Sequence, residues 1–123
     1  MTEIKIDPAN GPVTVGVESH ALIVVSFTIT VYKSDQSTIE EYYPDGSTQL
    51  SNPFLIKLPK AAASYIGHYI AGTLKFSDPN LGSVAYNIDM FLSQKDKKIE
   101  PVITLSGTTD PGVNTKHPNY HVQ

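Results

Sequence analysis

From Ile23 to Val31 every second residue is large and apolar: Ile23, Val25, Phe27, Ile29 and Val31. The residues around and between them pass from apolar (Leu22, Val24) to hydroxylated (Ser26, Thr28, Thr30, Tyr32). A period of two with β-branched and aromatic side chains marks a strand, because successive side chains leave a pleated backbone on opposite faces. The change on the second face predicts a strand covered on both sides in its first half and wet on one side in its second. The period recurs at Val13, Val15 and Val17, at Phe54, Ile56 and Leu58, and at Val84, Tyr86, Ile88, Met90 and Leu92. Residues 3–6, 38–43 and 101–106 read as further short strands.

Two periods compete between residues 60 and 77. Ala62, Ala63, Ile66, Tyr69 and Ile70 fit a helical face, whereas Ile66, His68, Ile70, Leu74 and Phe76 form one alternating face. Gly67 is poor in a helix interior. The pattern therefore predicts a short turn or helical turn at 60–64 followed by a strand from about Tyr65 to Ser77.

Turn chemistry punctuates these segments. Pro44-Asp45-Gly46-Ser47 is the clearest case, with Asp78-Pro79-Asn80-Leu81-Gly82 a second. Proline pre-sets φ, aspartate bonds local backbone, and glycine accepts positive φ. Together the segments predict an all-β, antiparallel two-sheet β-sandwich of about eight short strands with Greek-key connections, immunoglobulin-like or jelly-roll-like. Its core is expected from Ile23, Val25, Phe27, Ile29, Val31, Ile56, Ile70, Leu74, Phe76, Ile88, Met90, Leu92, Ile103 and Leu105. Residues 1–107 form the sandwich domain. Residues 108–123, polar and proline-bearing, read as a tail of the same domain, draped over it or mobile.

Composition removes whole classes of chemistry. The chain has no cysteine, which excludes disulfides, thiol catalysis and cysteine-bound zinc. The net charge is -3 at pH 7, and the one basic cluster, Lys95-Asp96-Lys97-Lys98, is diluted by its own aspartate and reads as a solvated turn. No nucleic-acid partner is expected from such a charge distribution. No signal peptide and no membrane span are evident, so cytoplasmic synthesis is the default expectation. Charged residues make up 17% of the chain, against about 25% in an average protein. The polar surface must lean on hydroxyls, amides and tyrosine, and an edge strand has few lysines to block pairing, which predicts a homo-oligomer.

The candidate chemistry is sparse. His117 and His121 are four apart, but Pro118 between them argues against a helical metal site, and no metal is expected. Asp78, Asn80 and Asp89, or Glu40, Glu41 and Asp45, are oxygen-rich enough to raise calcium, yet neither group matches the twelve-residue calcium loop. His68 would be a general base only if Asp89 or Glu41 converged on it, and His20 after Glu18 reads as a loop residue. With no nucleophile turn, phosphate loop or cofactor motif, the chain predicts a non-enzymatic module without a cofactor, the alternative being a small enzyme whose site is built from distant strands.

Tyrosine is the best functional signal, at seven residues against four phenylalanines. Its flat ring and polar tip suit stacking on a sugar or packing in a protein interface. Tyr42 and Tyr43 are consecutive, so one should pack inward while the other is presented. The leading expectation is a lectin-like recognition module binding carbohydrate at one loop end through Tyr42, Tyr43, Asp45, Asp78 and Asn80. Its rival is a structural or assembly subunit whose ligand is another protein.

Overall fold

The computed structural model describes residues 1–21, 23–48, 53–77, 84–109 and 113–123. The chain is a two-sheet β-sandwich. Its strands are β1 (Thr2–Ile4), β2 (Thr14–Ser19), β3 (Val25–Tyr32), β4 (Ile39–Thr48), β5 (Phe54–Lys57), β6 (Tyr69–Ser77), β7 (Ala85–Gln94), β8 (Lys97–Thr108), β9 (Val113–Lys116) and β10 (Asn119–Val122). A 3₁₀ turn, Ala62–Tyr65, overlaps the turn expected at 60–64, and the strand expected from about Tyr65 begins only at Tyr69. The larger sheet runs β1-β10-β6-β3-β4, with β9 also on β6; the smaller runs β5-β2-β7-β8. Among the described residues every pairing is antiparallel except β1 with β10. Among the described residues no helix is long and apolar enough to cross a membrane.

The alternation read from the sequence places the core. Val25, Phe27, Ile29 and Val31 of β3, Ile70, Leu74 and Phe76 of β6, and Ile88, Met90 and Leu92 of β7 are all buried between the sheets. Ile56, Ile103 and Leu105 pack against them from the margins. The first half of the long apolar run differs from expectation: Val24 precedes β3 and is 56% exposed, and Leu22 lies outside the described residues.

Two turn-rich stretches have a different structure from the one their composition suggests. Pro44-Asp45-Gly46-Ser47 is not a reversal but part of β4. Phe27 pairs with Gly46 and Ile29 with Tyr43, so β4 carries one more residue than β3 across this interval. That is a β-bulge, which favours the same residues as a turn. Pro44 is tolerated because, among the described residues, β4 is an edge strand with no further neighbour to receive its missing N–H. The stretch read as a polar tail supplies β9 and β10, and Tyr120 and Val122 are fully buried. The Asp78–Gly82 turn falls outside the described residues.

The hairpin ends are locally explained. Lys95 and Asp96, both at positive φ, make the two-residue turn from β7 to β8. Between β3 and β4 the Asp35 carboxylate accepts the N–H groups of Ser37 and Thr38 at 2.9 and 2.8 Å, and the Thr38 hydroxyl. These bonds hold it down to about 2.

Candidate functional site

Cross-strand register sets one row of side chains on the solvent face of the larger sheet. Tyr32 of β3 pairs with Tyr69 of β6, Tyr69 with His121 of β10, and His121 with Glu3 of β1. The rings of Tyr69 and His121 stack, with centroids 4.5 Å apart and planes 10° apart. The imidazole is held in turn by Glu3, whose Oε1 lies 3.2 Å from Nδ1. Glu3 also accepts the Gln123 amide. The next row places Tyr42, Thr30, Ala71 and Asn119 side by side. Tyr42 is 57% exposed.

A shallow groove of about 360 Å³ runs over this face. Its lining includes Tyr32, Tyr69, Ala71, Thr73, His117 and Asn119, with Gln36 and Met1 at its margins. The surface thus offers phenol rings beside amide and hydroxyl groups on strands that fix their spacing, with the His117 imidazole on the connection between β9 and β10. No lysine or arginine lines it. Such a surface can set ring faces against C–H groups and short neutral donors and acceptors against hydroxyls.

The residues singled out in sequence divide among several places. Tyr42 and Tyr43 do face opposite ways. Tyr42 is presented, whereas Tyr43 is half-buried and donates its hydroxyl to Glu41 Oε1 at 2.6 Å. Tyr43 and Asp45 border a second cleft of about 360 Å³ with Phe54, Leu55 and Ile56, between the edge strands β4 and β5. Asp78 and Asn80 lie outside the described residues.

Of the acids raised for calcium, Glu40 and Glu41 are engaged by neighbouring side chains. Glu41 Oε2 accepts the buried Tyr65 hydroxyl at 2.7 Å. Burial, followed by the bonds to Glu41, pushes the Tyr43 and Tyr65 phenols well above their ordinary range. Glu40 bonds Lys60, and its Oε2 lies 2.9 Å from His68 Nδ1. The Lys60 bond and the charges of His68 and Lys60 hold Glu40 below the usual carboxylate range despite the opposing effect of burial.

The histidine partners differ from the sequence expectation. His68 meets Glu40 rather than Asp89 or Glu41. Asp89 instead meets His20, Oδ2 to Nε2 at 2.9 Å, on the outer face of the smaller sheet. Sequence reasoning also missed Tyr32, Tyr69, His121 and Asn119 as one surface. No signal along the chain joins them; only the β3-β6-β10 neighbour order does.

Comparison with known proteins returns no match of the chain to a family model, a curated protein or a solved structure.

Proposed function

We propose that this protein is a non-enzymatic recognition module that binds carbohydrate on the outer face of the larger sheet. The observation that carries the reading is the cross-strand row of Tyr32, Tyr69 and His121, of which Tyr32 and Tyr69 line a groove with Asn119. A platform of stacked rings costs little side-chain entropy to organise, because Tyr69 and His121 already fix one another. This face replaces the loop end as the proposed ligand surface, keeping Tyr42 at its margin and releasing Tyr43, whose hydroxyl is committed to Glu41.

An assembly role is the second reading. Exposed Leu55 and Phe54 beside the open edges of β4 and β5 favour it, since unpaired edges flanked by apolar side chains invite a second copy. A glycan array probed with the purified chain separates the two. Binding that is lost in Tyr32→Ala and Tyr69→Ala and kept in Tyr43→Phe supports the sugar reading. Stacked rings contribute about 0.5–1.5 kcal/mol each, so the expected loss is about twofold to tenfold per ring. An empty array together with a dimer in sedimentation that Leu55→Glu dissociates overturns it in favour of assembly.

A further inference from the structure

We propose that Glu18, His20 and Asp89 form a binding site for a divalent first-row metal ion, zinc being the best match, on the outer face of the smaller sheet. Glu18 of β2 and Asp89 of β7 are direct cross-strand partners. Two carboxylates so placed repel one another, and a sheet tolerates the pair when a cation sits between them. His20 follows two residues after Glu18 and so returns to the same face. Its backbone N–H is tied to the Asn87 carbonyl at 2.7 Å, which keeps the residue against β7.

The donor atoms converge on one point. His20 Nε2 lies 2.9 Å from Asp89 Oδ2 and 3.0 Å from Glu18 Oε1. All three donor atoms fall within 4.8 Å of one another. A tetrahedral ion with bonds of about 2.0–2.2 Å spaces its ligands about 3.3 Å apart, so an outward shift of a few tenths of an ångström at Nε2 admits one. A single imidazole N–H has one direction and serves only one of the two carboxylates well. A metal gives each carboxylate its own bond.

The surroundings resemble the support that ligating groups need. Thr104 of β8 donates its hydroxyl to the other Asp89 oxygen, Oδ1, at 2.7 Å, which orients the carboxylate. Lys98 approaches Glu18 Oε1 at 3.7 Å and rests over the Phe91 ring, 4.5 Å from its centroid. It can neutralise one acid but does not reach between them. Three protein donors leave a fourth position on the solvent side, where His20 is 40% exposed, for water or for a donor from a ligand.

The test is calorimetric titration of the intact chain with zinc in a non-coordinating buffer near neutral pH. One ion should bind per chain with micromolar or tighter affinity. Cobalt titration should give the intense visible absorption of a four-coordinate ion. His20→Ala and Asp89→Asn should each abolish saturable binding while circular dichroism stays unchanged. Thr104→Val should weaken it roughly tenfold, as loss of an outer partner of a ligand does. The double variant His117→Ala/His121→Ala should bind as the parent does. No saturable heat, unchanged affinity in His20→Ala, or loss of binding in the His117/His121 variant instead would each overturn the assignment.

Discussion

Tyr120 stands in the larger sheet and is hydrogen-bonded to the smaller one. Its ring is fully buried, its hydroxyl lies 2.7 Å from the Pro101 carbonyl and 3.0 Å from that of Met90, and it accepts the Ile103 N–H at 3.2 Å. It therefore bolts β10 to the β7–β8 hairpin. Tyr120→Phe keeps the ring but leaves the Ile103 N–H unsatisfied in the interior, at a cost of about 1–3 kcal/mol in urea unfolding at neutral pH. The same phenol is pushed up to about 12, chiefly by burial, with the Ile103 N–H opposing and the charges of Glu100 and Asp89 adding. Unfolded tyrosine titrates near 10, so the native state holds this proton more tightly than the unfolded chain. The resulting stability is complete below pH 10 or so and is lost as pH rises through about 12. Tyr43 and Tyr65, also raised, act in the same direction. Alkaline unfolding followed against pH should thus be shallower in Tyr120→Phe than in the parent.

At the scale of strands, one device recurs: an aromatic ring laid over a glycine directly across the ladder. Phe91 faces Gly16, Phe27 faces Gly46 and Tyr86 faces Gly107. A Cβ built on Gly16 would fall among the ring atoms of Phe91, and one on Gly46 among those of Phe27. The ring covers backbone that glycine leaves bare and recovers packing that a strand glycine forfeits. Gly16→Ala should cost about 1–3 kcal/mol by overpacking. In a Phe91→Leu background the same change should cost much less, so the double-mutant cycle should show strong coupling; additive costs would mean that the ring simply moves aside. These pairs also explain how far the chain was readable. Ile29, Met90 and their kind alternate for eight or more residues, and that period survived folding intact. Gly46 was read as a turn because its partner Phe27 lies 19 positions away in the chain, beyond any local window. β10 was hidden for a related reason. It alternates over only Asn119–Val122, directly after Pro118, too short a run to stand out. The proposed binding face needed the same long-range knowledge. Tyr32 and Tyr69 become neighbours only once β3 and β6 are known to pair.

For the whole molecule, the last strand decides whether the larger sheet closes. β10 lies between β1 and β6, and it is the only strand among the described residues that β1 pairs with. Backbone bonds run from it to both sides: Gln123 N–H to the Ile4 carbonyl at 2.8 Å, and Val122 N–H to the His68 carbonyl at 2.9 Å. Removing residues 113–123 would strip β1 of its partner, bare one edge of β6 and open the core where Tyr120 and Val122 sit. Truncating one buried aromatic costs about 3–5 kcal/mol, and a domain of this size has only about 5–15 in total. Val122, the inter-sheet hydrogen bonds of Tyr120 and the ladder bonds add to that loss. The truncated chain should therefore lose its cooperative thermal transition and its dispersed amide spectrum rather than persist as a folded sandwich with an altered oligomeric state. A dispensable tail predicts the opposite, a transition within a few degrees of the full chain. Adding residues 113–123 back as a separate peptide gives the sharper outcome. If β10 acts by filling a gap between two existing strands, the peptide should restore the transition in proportion to its concentration. A peptide carrying Tyr120→Ala, which lacks the inter-sheet bolt, should not.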